Sequence, residues 1–196
     1  QLSLPLPLFD HNAGPRTAAP PARSSFCRRA GTAGSSSLPA VLTAEPVALV
    51  VDASVVLKWV LAEPDSPLAQ ALAEAEEELL LPDFCLNEAC NICWLQVRKR
   101  RWSPAEAREA LALLRALVPP TPTGELELHE VALEIGLAVD HSPYDTLYVA
   151  FAIAMGARGV VAADGPFVRA MRRHPDPQMA RLLIPLAAWG QERGLA

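Results

Sequence analysis

The sequence predicts an α/β domain, a central parallel sheet covered by helices on both faces. Three observations carry that prediction. Val47-Ala-Leu-Val-Val-Asp52 and Gly159-Val-Val-Ala-Ala-Asp164 are unbroken apolar runs that each end in an acid, the pattern of strands buried on both faces. Ser-Pro pairs that open helices stand between them, at Ser103-Pro104 and Ser142-Pro143. Strands alternate with helices from Val47 onward, which implies parallel pairing.

Taken in order, Val47–Asp52 is the first strand, and a helix follows from Ser54 to about Ala62, closed by Pro64. Ser66 and Pro67 open a second helix that is expected to run through Glu74, Glu76, Glu77 and Glu78 as a solvated acidic face. Leu79–Pro82 is a short strand. Leu86, Ala89, Cys90, Cys93, Trp94 and Val97 then fall at i, i+3, i+4, i+7, i+8 and i+11, the spacing of an amphipathic helix. Ser103-Pro-Ala-Glu106 and Ser142-Pro-Tyr-Asp145 both read as N-cap, proline at N1 and an acid at N3. A further helix is expected between them, from about Glu125 to Ile135. The Ser142 helix runs to Gly156, a C′ residue. Gly159–Asp164 is a strand, Pro166–Arg173 a short helix, and Leu182–Leu186 the last strand. There is no internal repeat.

The chain has 196 residues and a net charge of -5, with 51% hydrophobic and 20% charged residues. That size suits one α/β domain with a real core. The net charge argues against a protein that coats nucleic acid nonspecifically, though it leaves room for a local basic patch. No apolar run approaches the roughly 18 residues that span a bilayer. Four cysteines make no disulfide scaffold, so a reducing compartment, the cytoplasm, is the default. Residues 1–46 differ in kind, with 24 positions taken by Pro, Ser, Gly and Ala and a charge of +2 against -7 for the remainder. They read as a disordered leader, and the lack of any methionine before Met155 favours a reading frame extended upstream of an alternative start. A single domain is expected over 47–189, with a tail over 190–196.

In a parallel sheet the strand C-termini and the N-termini of the following helices share one rim, where ligands bind. Asp52 and Asp164 end apolar strands, and Glu88 and Asp145 lie in the first turns of helices. All four carboxylates are therefore expected to face one crevice. Like charges about 4 Å apart cost on the order of 4 kcal/mol at an effective dielectric near 20, so such a cluster calls for a cation or for protonation. Oxygen-only ligands favour a hard ion, Mg²⁺ or Mn²⁺, and an open site of this kind suits hydrolysis of a phosphodiester. Each acid also has a plainer use: Asp145 as the N3 member of a capping box, Asp52 as an N-cap, Asp164-Gly165 as a turn, Glu88 as a solvent-facing helix residue.

Val51-Asp52-Ala53-Ser54-Val55 with Leu57-Lys58-Trp59, then Leu86-Asn87-Glu88-Ala89-Cys90-Asn91, then Tyr144-Asp145-Thr146-Leu147-Tyr148-Val149-Ala150, then Val161-Ala162-Ala163-Asp164 with Phe167, resemble the PIN-domain nucleases. Within them the succession is most similar to the VapC-type toxins of toxin–antitoxin systems. The resemblance covers roughly Val47 to Pro185. It implies a three-layer α/β/α PIN-like fold that cuts RNA (tRNA, rRNA or mRNA) with Mg²⁺ or Mn²⁺, held in check by a cognate antitoxin protein and paired as a homodimer. By position, Asp52, Glu88, Asp145 and Asp164 match the acidic quartet. Asp52 and Asp145 are foremost as metal ligands, and Glu88 and Asp164 complete the shell and orient water. Ser54 and Asn91 fit supporting roles around them. Two departures stand out. Ala162 occupies a place usually held by Thr or Ser, and Gly165, Pro166 and Phe167 stand where many members carry a further acid. A PIN-fold module that binds RNA or protein without cutting is the alternative.

Other signals rank lower. Arg98-Lys99-Arg100-Arg101 ends the helix that carries Glu88, about 15 Å from it along the axis, and either contacts RNA phosphates or complements the helix dipole. Arg169, Arg172 and Arg173 pose the same question beside Asp164. Cys85, Cys90 and Cys93 have a spacing seen in iron–sulfur proteins but lack a nearby fourth ligand, so core packing is expected. His11, His129, His141 and His174 form no spaced cluster, and an exposed tryptophan could stack on a base. A haloacid-dehalogenase-like phosphatase fails because Ser54 stands where it needs a second Asp. A dinucleotide-binding domain fails for want of glycine after the first strand.

Overall fold

The computed structural model describes residues 48–124 and 126–195; the leader expected over 1–46 lies outside the described residues. Five short strands, β1 (Leu49–Val51), β2 (Leu79–Pro82), β3 (Pro120–Thr121), β4 (Gly159–Ala162) and β5 (Leu183–Pro185), form one sheet in the order β3-β2-β1-β4-β5. Every pair is parallel. The two apolar runs lie side by side at its centre, where Leu49, Val50, Val51, Val160, Val161 and Ala162 are fully buried.

Helices fill each crossover. α1 (Ala53–Val56), a 3-10 turn (Leu57–Trp59) and α2 (Ser66–Ala73) join β1 to β2, and α3 (Cys85–Arg98) and α4 (Pro104–Leu117) join β2 to β3. α5 (Leu128–Val139) and α6 (Pro143–Ala154) lead to β4, α7 (Gly165–Met171) and α8 (Pro177–Arg181) to β5, and α9 (Leu186–Gln191) follows. α6 packs on β1 and β4, α3 on β2, and α9 on β4, β5 and α2, giving the three-layer α/β/α arrangement. At Gly159 a Cβ would stand 2.5 Å from the Leu182 carbonyl, so the start of β4 accepts only glycine. Gly156, at φ +63, ends α6 in the left-handed conformation.

Several expectations are corrected. The first helix is shorter than Ser54 to Ala62: it tightens into the 3-10 turn, which buries Trp59 and lets its indole N–H donate to the Ala69 carbonyl at 2.8 Å. α2 stops at Ala73, so the acidic run is not a helix face. Four like charges in five residues disfavour continuing it. Glu77 is also not solvated like its neighbours, because it turns inward to pair with Arg193. The buried face of α3 is Cys85, Ala89 and Cys93, rotated from the expected stripe and leaving Cys90 and Trp94 exposed. Packing on β2 and α4, rather than each residue's hydropathy, sets that rotation. α5 begins at Leu128, later than Glu125, and runs on to Val139, where Asp140 takes a left-handed conformation (φ 54). β3, α8 and α9 are additions; at two, five and six residues they are too short to show a period.

Candidate functional site

The strand order reverses between β1 and β4, so a crevice opens at their C-terminal ends. Asp52 follows β1 and Asp164 follows β4, and the register holds them together: Val51 pairs with Val161, and the Asp52 N–H donates to the Val161 carbonyl at 3.0 Å. Glu88 arrives from the first turn of α3 and Asp145 from the first turn of α6. All four carboxylates, with Ser54 and Asn91, line one open cleft of ≈ 240 Å³, whose apolar walls are Ala53, Leu57 and Ile92.

Each acid is held through one oxygen. Asp52 Oδ1 accepts from the Ser54 N–H at 2.8 Å, capping α1. Asp164 Oδ1 accepts from the Phe167 N–H at 2.8 Å, capping α7. Glu88 Oε1 accepts from the Tyr148 hydroxyl at 2.9 Å. Asp145 Oδ2 lies 2.9 Å from His141 Nε2. The His141 ring is fixed by stacking on Phe167, centroids 5.2 Å apart and planes 8° apart. Ser54 also reaches across the cleft floor, its Oγ accepting from the Ala163 N–H at 2.9 Å and so pinning the segment that presents Asp164. Ala162 is wholly buried in β4.

The electrostatics follow from this crowding. Burial pushes the Asp52 carboxyl up to about 6, Ser54 offsets part of the rise, and Asp145 and Asp164 add to it. Burial pushes Glu88 up to about 7, the Tyr148 hydroxyl offsets part, and Asp52 and Asp145 add to it. Asp145 is raised by burial, drawn back by His141 and raised again by Asp164. A cation would relieve every one of these penalties.

The donors fit a hard ion. They are all carboxylate oxygens, each anchored on one side with its second oxygen outside that bond. Among the described residues no three His, Cys, Asp or Glu side chains form a ready chelate.

The remaining candidates scatter. Arg98, Lys99, Arg100 and Arg101 do not line the cleft. Arg173 donates to the Val139 carbonyl at 3.3 Å. Cys85 and Cys93 are buried, as core packing requires, but Cys90 is exposed. Two supports escaped the sequence reading, His141 and Tyr148. They lie four residues before and three after Asp145, and that i–4, i+3 spacing was the available signal.

The PIN domain family model matches residues 49–172, a span that includes all four acids. The fold is similar to the crystal structure of PAE2754 from Pyrobaculum aerophilum, with a TM-score of 0.56 and 17% sequence identity over 80% of this chain and 95% of that one. No curated protein matches the chain.

Proposed function

The chain belongs to the PIN-domain family, generally a metal-dependent nuclease fold, and on that premise we propose that it is a Mg²⁺- or Mn²⁺-dependent endoribonuclease, the toxin of a toxin–antitoxin pair. The observation that carries the proposal is the convergence of Asp52, Glu88, Asp145 and Asp164 from four separate elements into one open cleft. Asp52 and Asp145 would hold the ion, which when bound polarises a phosphate oxygen and favours hydroxide over water. Glu88, held on one oxygen by the Tyr148 hydroxyl, would orient the attacking water and take its proton. Asp164 completes the negative wall opposite it. Ser54 keeps Asp52 and the Asp164 segment in register, and Asn91, exposed at the cleft edge, is a donor for a phosphate oxygen.

RNA cleavage by the full chain tests this, with Mg²⁺ or Mn²⁺, with EDTA, and with Asp52→Asn and Asp145→Asn, on mixed tRNA and rRNA. Metal-dependent cutting lost in both variants is the expected result. A folded wild-type chain that neither cuts nor binds Mg²⁺ in calorimetry would leave the non-catalytic RNA- or protein-binding module in its place. The same family reading includes a cognate antitoxin seated over the cleft, a homodimer and a cytoplasmic setting. None of the described helices is long and apolar enough to cross a membrane.

A further inference from the structure

We infer that the exposed face of α3 is a single-stranded RNA subsite continuous with the cleft, in which a base stacks on Trp94 and Arg98 neutralises a flanking phosphate; this rests on the nuclease reading above. α3 runs outward from the cleft, which its first turns line. Glu88 and Ile92 face the cleft and Asn91 stands at its edge. Asn91, Trp94 and Arg98 follow one another at i, i+3 and i+7, so they share a stripe on the solvent side. By helix rise Trp94 lies about 9 Å and Arg98 about 15 Å along the axis from Glu88, a track leading away from the acids.

Trp94 is 51% exposed, which a core or capping role does not explain. The Arg98 guanidinium lies over its ring at 5.1 Å, a cation–π contact that keeps the indole oriented and places a charge where a stacked nucleotide's phosphate would fall. Arg98 begins a run of four cations, Arg98 to Arg101, on a chain of net charge -5. An aromatic platform beside a basic run is the combination by which unpaired nucleic acid is held without base-edge readout. A protein partner would gain from the exposed indole but has no comparable need of four adjacent cations, so RNA is the occupant the chemistry favours.

The test separates binding from cutting. Binding of a fluorescent single-stranded RNA oligonucleotide, and of its duplex, is measured by anisotropy in EDTA with the full chain as wild type, Trp94→Ala, Trp94→Phe and Arg98→Ala. Cleavage constants are measured alongside in Mg²⁺. Trp94→Ala is expected to weaken single-strand binding about 5- to 100-fold and raise KM with kcat unchanged, while Trp94→Phe stays within about threefold of wild type. Arg98→Ala is expected to lower the salt slope of binding by about one. Equal single-strand affinity and KM in wild type and Trp94→Ala overturn the subsite and leave the nuclease intact. Trp94-dependent binding by a chain that cuts nothing upholds the subsite and removes the nuclease. Unchanged RNA affinity with self-association lost in Trp94→Ala, by sedimentation, overturns it in favour of a protein interface.

Discussion

Two helix starts in this chain are written alike, Ser103-Pro-Ala-Glu106 and Ser142-Pro-Tyr-Asp145, and they do different things. At α4 the Ser103 Oγ accepts from the Glu106 N–H at 3.2 Å, and Glu106 Oε2 accepts from the Ser103 N–H at 2.6 Å, closing a capping box at the surface. Those bonds from Ser103 hold the Glu106 carboxyl below its ordinary pKa. At α6 the serine does the same duty, its Oγ accepting from the Tyr144 N–H at 3.2 Å, but Asp145 does not close the box. Its carboxylate turns to His141 and the cleft, and burial raises its pKa. Glu106, one methylene longer, reaches back to the cap, whereas the shorter Asp145 stays free for the crevice. The lesson is that capping grammar decides where a helix begins. What an acid in its first turn is for depends on what the fold brings opposite it.

That contrast can be broken most forcefully at the acids. Asp145→Asn is expected to cost on the order of 10²-fold or more in RNA cleavage, with the circular dichroism spectrum unchanged. Glu106→Gln is expected to leave kcat/KM within about twofold. Equal activity in both variants would erase the distinction between the two helix starts.

The next effect is on stability. Asp52 and Glu88 have folded pKa values of about 6 and about 7 against ordinary values of 3.8 and 4.5, so the folded chain binds more protons than the unfolded chain between roughly pH 4 and 7. Metal-free stability should therefore fall as pH rises through that window and be lowest above it. Asp52→Asn keeps the N-cap and removes the buried charge, and at pH 8 it should stabilise the metal-free chain by on the order of 3 kcal/mol at most. Thermal unfolding at pH 5 and 8, with and without Mg²⁺, checks this. A metal-free melting temperature that rises toward pH 8 would contradict it.

Tyr148→Phe removes the hydroxyl that holds Glu88 and leaves the ring edge-on to Phe84 (centroids 4.9 Å apart). Weaker Mg²⁺ affinity by about tenfold is expected in titration calorimetry, with the fold unaffected. The smallest effect sharpens the comparison most. Ser103→Ala and Ser142→Ala should each cost about 1 kcal/mol in denaturant unfolding. Only Ser142→Ala should also reduce cleavage, because only that helix start carries an acid into the cleft.

The sheet's centre was legible because β1 and β4 are buried on both faces and their residues are apolar without interruption. The rim followed from topology, since a parallel sheet sends every strand-end acid to one edge, and the four acids do line one cleft. α3 was legible as a helix but not in its rotation. Leu86 and Trp94 are as apolar as Ala89 and Cys93, and only contact with β2 and α4 selects which of them is covered. Glu77 looks like a solvated acid in the sequence because Arg193 and Trp189, which it meets in the fold, lie more than a hundred residues away.

By itself, then, the sequence determined the strand and helix alternation, the two caps, and the set of acids that a parallel sheet must bring to one rim. These depend on local periodicity and on a topological rule. The tertiary structure alone decided which oxygen of each acid is anchored, by Ser54, Tyr148, His141 or Phe167, and how far burial lifts each proton affinity. It also decided that Trp94, on the expected apolar stripe of α3, stands in solvent. Those properties arise from distances between residues remote in the chain. Desolvation and Coulomb energies depend on those distances, and no spacing along the sequence encodes them.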